Sequence, residues 1–288
     1  MKANLPLSRP NDFRPIALSL DDAVFSLRSY APMRDFAFSL VRGRVLVSSH
    51  GSIGSPEEMG FDGWNARYAD HVLQHPVKFW EYCRVLDMLQ AQAGERILDV
   101  GGASSPLSFY LASLGREIEI ADYEAVSREG RSIVENANRV AGDRDWRLHA
   151  VHADATRLPY EDATFDAVTS VSVLEHVGPL RRQRRAFAEA FRVLRPGGML
   201  AITFDYGRVR GTRGHHPVRC SADIDRLLTG IGFSVIGNED WHDVNYADPE
   251  IVEWEKAHTR FVITQLRRTR WYTAFSLFLR RPSVGGGV

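Results

Sequence analysis

The sequence predicts an α/β fold: a doubly wound, largely parallel sheet with helices on both faces, preceded by an N-terminal extension. Three observations predict it. From Glu95 onward, short apolar runs of strand length alternate with amphipathic stretches of helix length, the pattern of a parallel sheet with crossover helices. The first run, Ile97, Leu98 and Val100, breaks at the small residues Gly101-Gly102-Ala103-Ser104-Ser105 and passes directly into a helix. Acidic residues then recur just after successive apolar runs, at Asp122 and Asp154, where open α/β sheets bind ligands.

The elements follow in order. Pro76 to Gln92 reads as a helix with Phe79, Trp80, Val85, Leu86 and Leu89 on its apolar face. A strand at 95–100 is followed by a helix at 106–114. Ser105 suits its N-cap, Pro106 its first position and Gly115 its C′ position. Strands are expected at Glu117–Asp122, Trp146–His152, Phe165–Ser172, Met199–Phe204 and near Phe233–Ile236. Helices are expected at Val126–Val140, from Leu180 to Leu194, and at Ala222–Thr229. Arg195-Pro196-Gly197-Gly198 reads as the turn between the long helix and the next strand. Domain organisation is read as residues 1–75, an extension able to cap the main domain, and residues 76–288, the main domain with an insertion near 239–270.

Composition narrows the function. The chain has 288 residues, of which 44% are hydrophobic, ample for a sizeable core. Lysine plus arginine balances aspartate plus glutamate at a net charge of zero, so no global field favours nucleic acid. The two cysteines, Cys83 and Cys220, lack metal-site spacing. No metal is expected: His71 and His75 lie four apart, but Pro76 follows and no third ligand is evident. The N-terminus lacks an apolar signal core and no run is long enough to span a bilayer, so a cytoplasmic location is expected. Oligomeric state is left open.

The turn after the first strand carries most of the functional information. It has little side-chain bulk, so a ligand can approach its backbone. A dinucleotide turn needs G-x-G-x-x-G, and Pro106 stands where the third glycine belongs. What fits instead is Asp99-x-Gly101-x-Ala103-x-Ser105, an acid two residues before the first of a series of small residues. Together with Asp122, Asp154-Ala155, Leu158-Pro159, Phe165-Asp166, Glu175-His176 and Arg192-Val-Leu-Arg-Pro-Gly-Gly198, this resembles the small-molecule branch of the class I S-adenosylmethionine-dependent methyltransferases. Ala103 and Ser105 replace two glycines of the family pattern. The resemblance covers roughly residues 77–282.

The resemblance implies a Rossmann-like, seven-stranded sheet whose last strand, within Tyr272–Arg280, is antiparallel. It implies S-adenosyl-L-methionine as cofactor. Asp99, Gly101, Gly102, Ala103 and Ser105 belong to the turn that holds its methionine part. Asp122, with Tyr123 beside it, holds the ribose. Asp154 holds the adenine amine and Ala155 packs the ring, with Ser172 completing the set. For Asp154 an Asx-turn is an equal reading of the residue itself.

Catalysis needs an aligned nucleophile and a place for its proton. His176, at the end of the fourth strand, is the candidate base, the alternative being a purely packing role. The loop Tyr206–Cys220 brings His215 and His216 as further candidates. With them come Arg208, Arg210, Arg213 and Arg219, which can hold a carboxylate or phosphate. Arg181, Arg182, Arg184 and Arg185 read as a solvated surface. The fourth-strand segment lacks an Asn/Asp-Pro-Pro-Tyr/Phe signature, which points to an oxygen or other nucleophile on a small molecule. Within the insertion, Trp241, His242 and Tyr246 are candidate lining residues. The expected function is methyl transfer to a small or medium acceptor, anionic or glycosylated. The alternatives are a non-catalytic protein that keeps the fold for binding, and a nicotinamide-dependent oxidoreductase or epimerase.

Overall fold

The computed structural model describes residues 32, 33, 36, 76–92, 96–103, 105–123, 132–206, 216, 218, 221–236 and 273–283. The elements are α1 (Pro76–Gln92), β1 (Arg96–Val100), α2 (Pro106–Ser113), β2 (Glu117–Asp122), α3 (Ile133–Asp143), β3 (Leu148–His152), β4 (Phe165–Val171), a short 3₁₀ turn (Leu174–His176), α4 (Leu180–Val193), β5 (Leu194–Tyr206), α5 (Ser221–Leu228), β6 (Ser234–Val235) and β7 (Thr273–Arg280). Most of the expected 1–75 extension, including His71 and His75, and all of the expected insertion near 239–270, including Trp241, His242 and Tyr246, lie outside the described residues.

The strands form one seven-stranded sheet in the order β3-β2-β1-β4-β5-β7-β6. β1 pairs in parallel with both β2 and β4. The chain therefore winds outward in two directions from β1 and β4, and the crevice between their carboxyl ends is the switch point where such sheets bind ligands. β7 runs antiparallel between β5 and β6, with Phe278 opposite Ala201. The expected seventh, antiparallel strand is there.

Two-residue periodicity divides the core into two layers. Ile97, Ile118, Ala167, Ala201 and Phe278 face a layer built from α1, α2 and α3, where Leu86, Leu89, Phe109 and Val140 are buried. Leu98, Val168, Leu200, Leu277 and Leu279 face the other layer, where α4 and α5 contribute Phe187, Val193, Ile224 and Leu227. Of the four arginines at the start of α4, all are exposed, but Gln183 among them is buried.

One expectation is corrected at the end of α4. Arg195-Pro196-Gly197-Gly198 is not a free-standing turn. β5 begins immediately at Leu194, which pairs with Phe165; pairing resumes at Met199 with Ala167, and the register shifts between Phe165 and Ala167. Gly197 takes φ +85°, and a Cβ on Gly198 would lie 2.8 Å from the Arg195 carbonyl oxygen, so the pair permits a kink without interrupting the strand. The carbonyls at the end of α4 are met by Arg281, whose Nη1 donates to the oxygens of Phe191, Arg192 and Leu194 at 3.0, 3.1 and 2.7 Å.

The edge strand β3 is protected by a side chain. Asn138 of α3 donates through Nδ2 to the Ala150 carbonyl at 2.8 Å and accepts from the Ala150 N–H at 2.8 Å. It occupies ladder groups that another strand would otherwise use. Asn138→Ala is expected to lower stability by about 1 kcal/mol, read from the urea midpoint, and to increase self-association on heating.

Candidate active site

The site is built where β1 ends. Gly101 adopts φ +82°, and a Cβ there would fall 2.4 Å from Cγ2 of Val173, the residue two past β4. Glycine is required here on both counts. A Cβ on Gly102 would lie 2.0 Å from Asp99 Oδ2 and 2.7 Å from Ser108 Oγ. The turn is thus drawn down onto the Asp99 carboxylate, with no room for side chains at either glycine.

Asp99 is 2% exposed and sits beneath this turn. Its Oδ1 accepts from Thr169 Oγ1 of β4 at 2.8 Å, and its Oδ2 accepts from Ser108 Oγ of α2. Burial pushes its carboxyl up to about 6, against the opposing effect of the Ser108 and Thr169 hydrogen bonds and with a further push from Asp122. Asp99 joins β1, β4 and α2, and neither Ser108 nor Thr169 stands out in the sequence.

The turn is closed by backbone and side-chain bonds. Gly101 N donates to the Ala121 carbonyl at 2.8 Å, and Ser105 N donates to the Gly102 carbonyl at 2.9 Å. Ser105 caps α2 as expected, accepting from Leu107 N at 3.2 Å, and Pro106 follows in the first helical turn. Asp122, buried at the end of β2, reaches across to accept from Ala103 N at 3.1 Å. It is therefore at the turn, beside the residues expected to share the cofactor with it. Tyr123 is 71% exposed and stacks on His152 with ring centroids 5.6 Å apart.

Asp154 lies at the end of β3 in an Asx-type turn. Its Oδ1 accepts from both Thr156 N and Thr156 Oγ1 at 2.8 Å, while Oδ2 accepts from Arg182 Nη2 at 2.9 Å. Burial works to raise its carboxyl, but the Thr156 and Arg182 hydrogen bonds outweigh it and hold the group below the usual carboxylate range. Arg182, expected as solvated surface, has a second bond from Nε to the Val177 carbonyl at 2.9 Å. It clasps the β3 and β4 loops together, which only folding reveals. Ala155 lines an apolar cleft with Val100, Val173, Leu174, Val177 and Phe187.

After β4, Ser172 takes φ +51° and the chain enters the 3₁₀ turn carrying Glu175 and His176. Glu175 is buried and His176 exposed. The segment after β5 returns here: His216 N donates to the Glu175 carbonyl at 2.6 Å, and its own carbonyl accepts from Gln183 Nε2 at 2.5 Å. The structure thus brings the His176 turn and His216 to one corner, with buried Gln183 as the anchor that the sequence did not signal. His215, Arg208, Arg210, Arg213 and Arg219 lie outside the described residues.

Residues 98–202 match the family profile of a methyltransferase domain. A demethylmenaquinone methyltransferase of Clavibacter sepedonicus is 41% identical over 111 residues, covering 38% of this chain and 41% of that protein. A 27-O-demethylrifamycin SV methyltransferase of Amycolatopsis mediterranei is 34% identical over 121 residues, covering 41% of this chain and 42% of that protein. The chain thus spans less than half the length of these two curated relatives. Among solved structures, the [4+2]-cyclase SpnF shares the fold with a TM-score of 0.51 at 22% identity, over 93% of this chain and 98% of that one. Residues 98–202 are thus similar to the methyltransferase-domain family, and the seven-stranded sheet with its antiparallel β7 is the Rossmann-like fold of the class I S-adenosylmethionine-dependent methyltransferases. S-adenosyl-L-methionine is the methyl donor of that family.

The raised Asp99 carboxyl carries a pH signature. The unfolded chain releases this proton near the ordinary value of 3.8, whereas the folded protein holds it to about 6. Stability therefore falls as pH rises through that window, by on the order of 3 kcal/mol once the group is ionised. In Asp99→Asn this component should vanish. Urea unfolding at about pH 4.5 and about pH 7 should show a smaller difference between the two conditions than in the wild type.

Proposed function

We propose that this chain transfers the sulfonium methyl group of S-adenosyl-L-methionine to a small or medium-sized acceptor, an oxygen of an anionic or glycosylated metabolite. The observation that carries this reading is the Gly101–Gly102 turn. Two glycines with no space for a Cβ are pressed onto a buried carboxylate, beside a second buried carboxylate at Asp122. Pro106 begins α2 where a dinucleotide turn would need its third glycine, which argues against a nicotinamide cofactor.

The cofactor supplies an already activated methyl group. The residues present fit it in the following way. Gly101, Gly102, Ala103 and Ser105, supported by Asp99, leave backbone accessible for its methionine part. Asp122 accepts from the ribose hydroxyls, next to Tyr123. Asp154 accepts from the adenine amine, with Ala155 in the apolar cleft against the ring, and Ser172 stands at the amino-acid end. His176 takes the acceptor's proton. A neutral imidazole has a ring nitrogen lone pair that can accept a proton. His176 is exposed on the corner that also carries His216, which supports an acceptor arriving there. His215 and the arginines of the same loop are the proposed contacts of an anionic acceptor.

The test is calorimetric titration with S-adenosylmethionine, S-adenosylhomocysteine and NAD in parallel. Micromolar binding of the first two without NAD is expected; NAD binding alone would sink the reading. Asp122→Ala should weaken S-adenosylhomocysteine binding by roughly tenfold or more, as expected for lost hydrogen bonds to a carboxylate. His176→Ala should leave that affinity nearly intact while lowering turnover of an identified acceptor by roughly 10²-fold. Full activity in that variant would remove His176 as the base.

A further inference from the structure

α1 precedes the segment matched by the family profile, yet it places a carboxylate against the site. Glu81 is 1% exposed, and its Oε1 accepts from Ser172 Oγ at 2.7 Å. Ser172 holds φ +51°, in the left-handed region that non-glycine residues seldom occupy. Its backbone N–H is engaged with the Thr203 carbonyl at 3.0 Å. Val173, the next residue, is the wall against which Gly101 closes. Ser172 therefore stands one residue from the cofactor turn with both of its protons already committed, one to β5 and one to Glu81.

This commitment fixes what Ser172 can recognise. A hydroxyl has one proton to give and lone pairs to receive. With the proton given to a buried carboxylate, the oxygen can only accept, and the nearby negative charge favours a cationic donor. The geometry points to Glu81 as a positioning residue of the donor site. By holding the Ser172 proton, it leaves the Ser172 oxygen to accept from the ammonium group at the amino-acid end of the cofactor. This rests on the reading that the Gly101 turn binds S-adenosylmethionine.

The experiment compares two ligands that share the nucleoside and differ at the amino-acid end. S-adenosylhomocysteine carries the ammonium; 5′-methylthioadenosine lacks the whole amino-acid moiety. With the full chain in a calorimeter, Glu81→Ala should bind S-adenosylhomocysteine roughly tenfold more weakly and 5′-methylthioadenosine within about twofold of wild type, the difference being one hydrogen bond to a charged group. Ser172→Ala, which leaves α1 untouched, should show the same selective loss. The double variant should lose no more than either single one. Glu81→Gln, which can still accept from the hydroxyl, should restore most of the affinity. Equal weakening of both ligands in Glu81→Ala and Ser172→Ala, or unchanged S-adenosylhomocysteine affinity in either, would overturn the assignment. Failure of the wild-type protein to bind either ligand would instead overturn the donor-site reading, and the role of Glu81 with it.

Discussion

The Asp99 carboxylate of β1 joins its own strand to the neighbouring strand β4 and to the helix α2. It takes a hydrogen bond from Thr169 on β4 and another from Ser108 on α2, while Gly102 packs over it. A buried carboxylate is costly to desolvate, and it persists only where donors surround it. Here the donors come from the strand beside β1 and from the helix that follows the turn. Satisfying Asp99 therefore sets the spacing of β1 and β4 at the switch point and seats the first turns of α2. The rise of its carboxyl to about 6 shows that the donors only partly offset the burial.

A second set of contacts fixes the loops around that centre. Val173 closes on Gly101, Arg182 ties Asp154 to the Val177 carbonyl, and Gln183 anchors His216 beside the His176 turn. Each bond is modest by itself. Together they connect the loops after β3, β4 and β5 through α4, so the face expected to bind cofactor and acceptor is braced from one helix. The antiparallel β7 lies between β5 and β6, and Arg281 just beyond it occupies the carbonyls at the end of α4.

The two curated relatives described above are named as methyltransferases, one of demethylmenaquinone and one of 27-O-demethylrifamycin SV, and the solved structure is similar in fold alone.

Much of the fold was legible in the sequence because hydrophobic periodicity and turn chemistry are local. The alternation of strand and helix, Ser105 and Pro106 at the start of α2, and the positive φ of Gly101 and Gly115 all follow from residues next to one another. The seven-stranded sheet with its antiparallel last strand followed from the resemblance, while the strand order came from the structure. Asp122 was placed by its position after a strand, and the structure puts it at the turn. Tertiary structure alone decided which polar residues act together. Ser108 and Thr169 on Asp99, Arg182 on Asp154, Gln183 on His216 and Glu81 on Ser172 are pairs separated by as few as 9 and as many as 91 residues. No local pattern marks such pairs, since a buried polar side chain acquires its partner only when separate elements pack and exclude the water that would otherwise satisfy it. For the same reason the sequence set β5 apart from α4 by a turn, while the packed sheet draws Leu194 straight into register with Phe165.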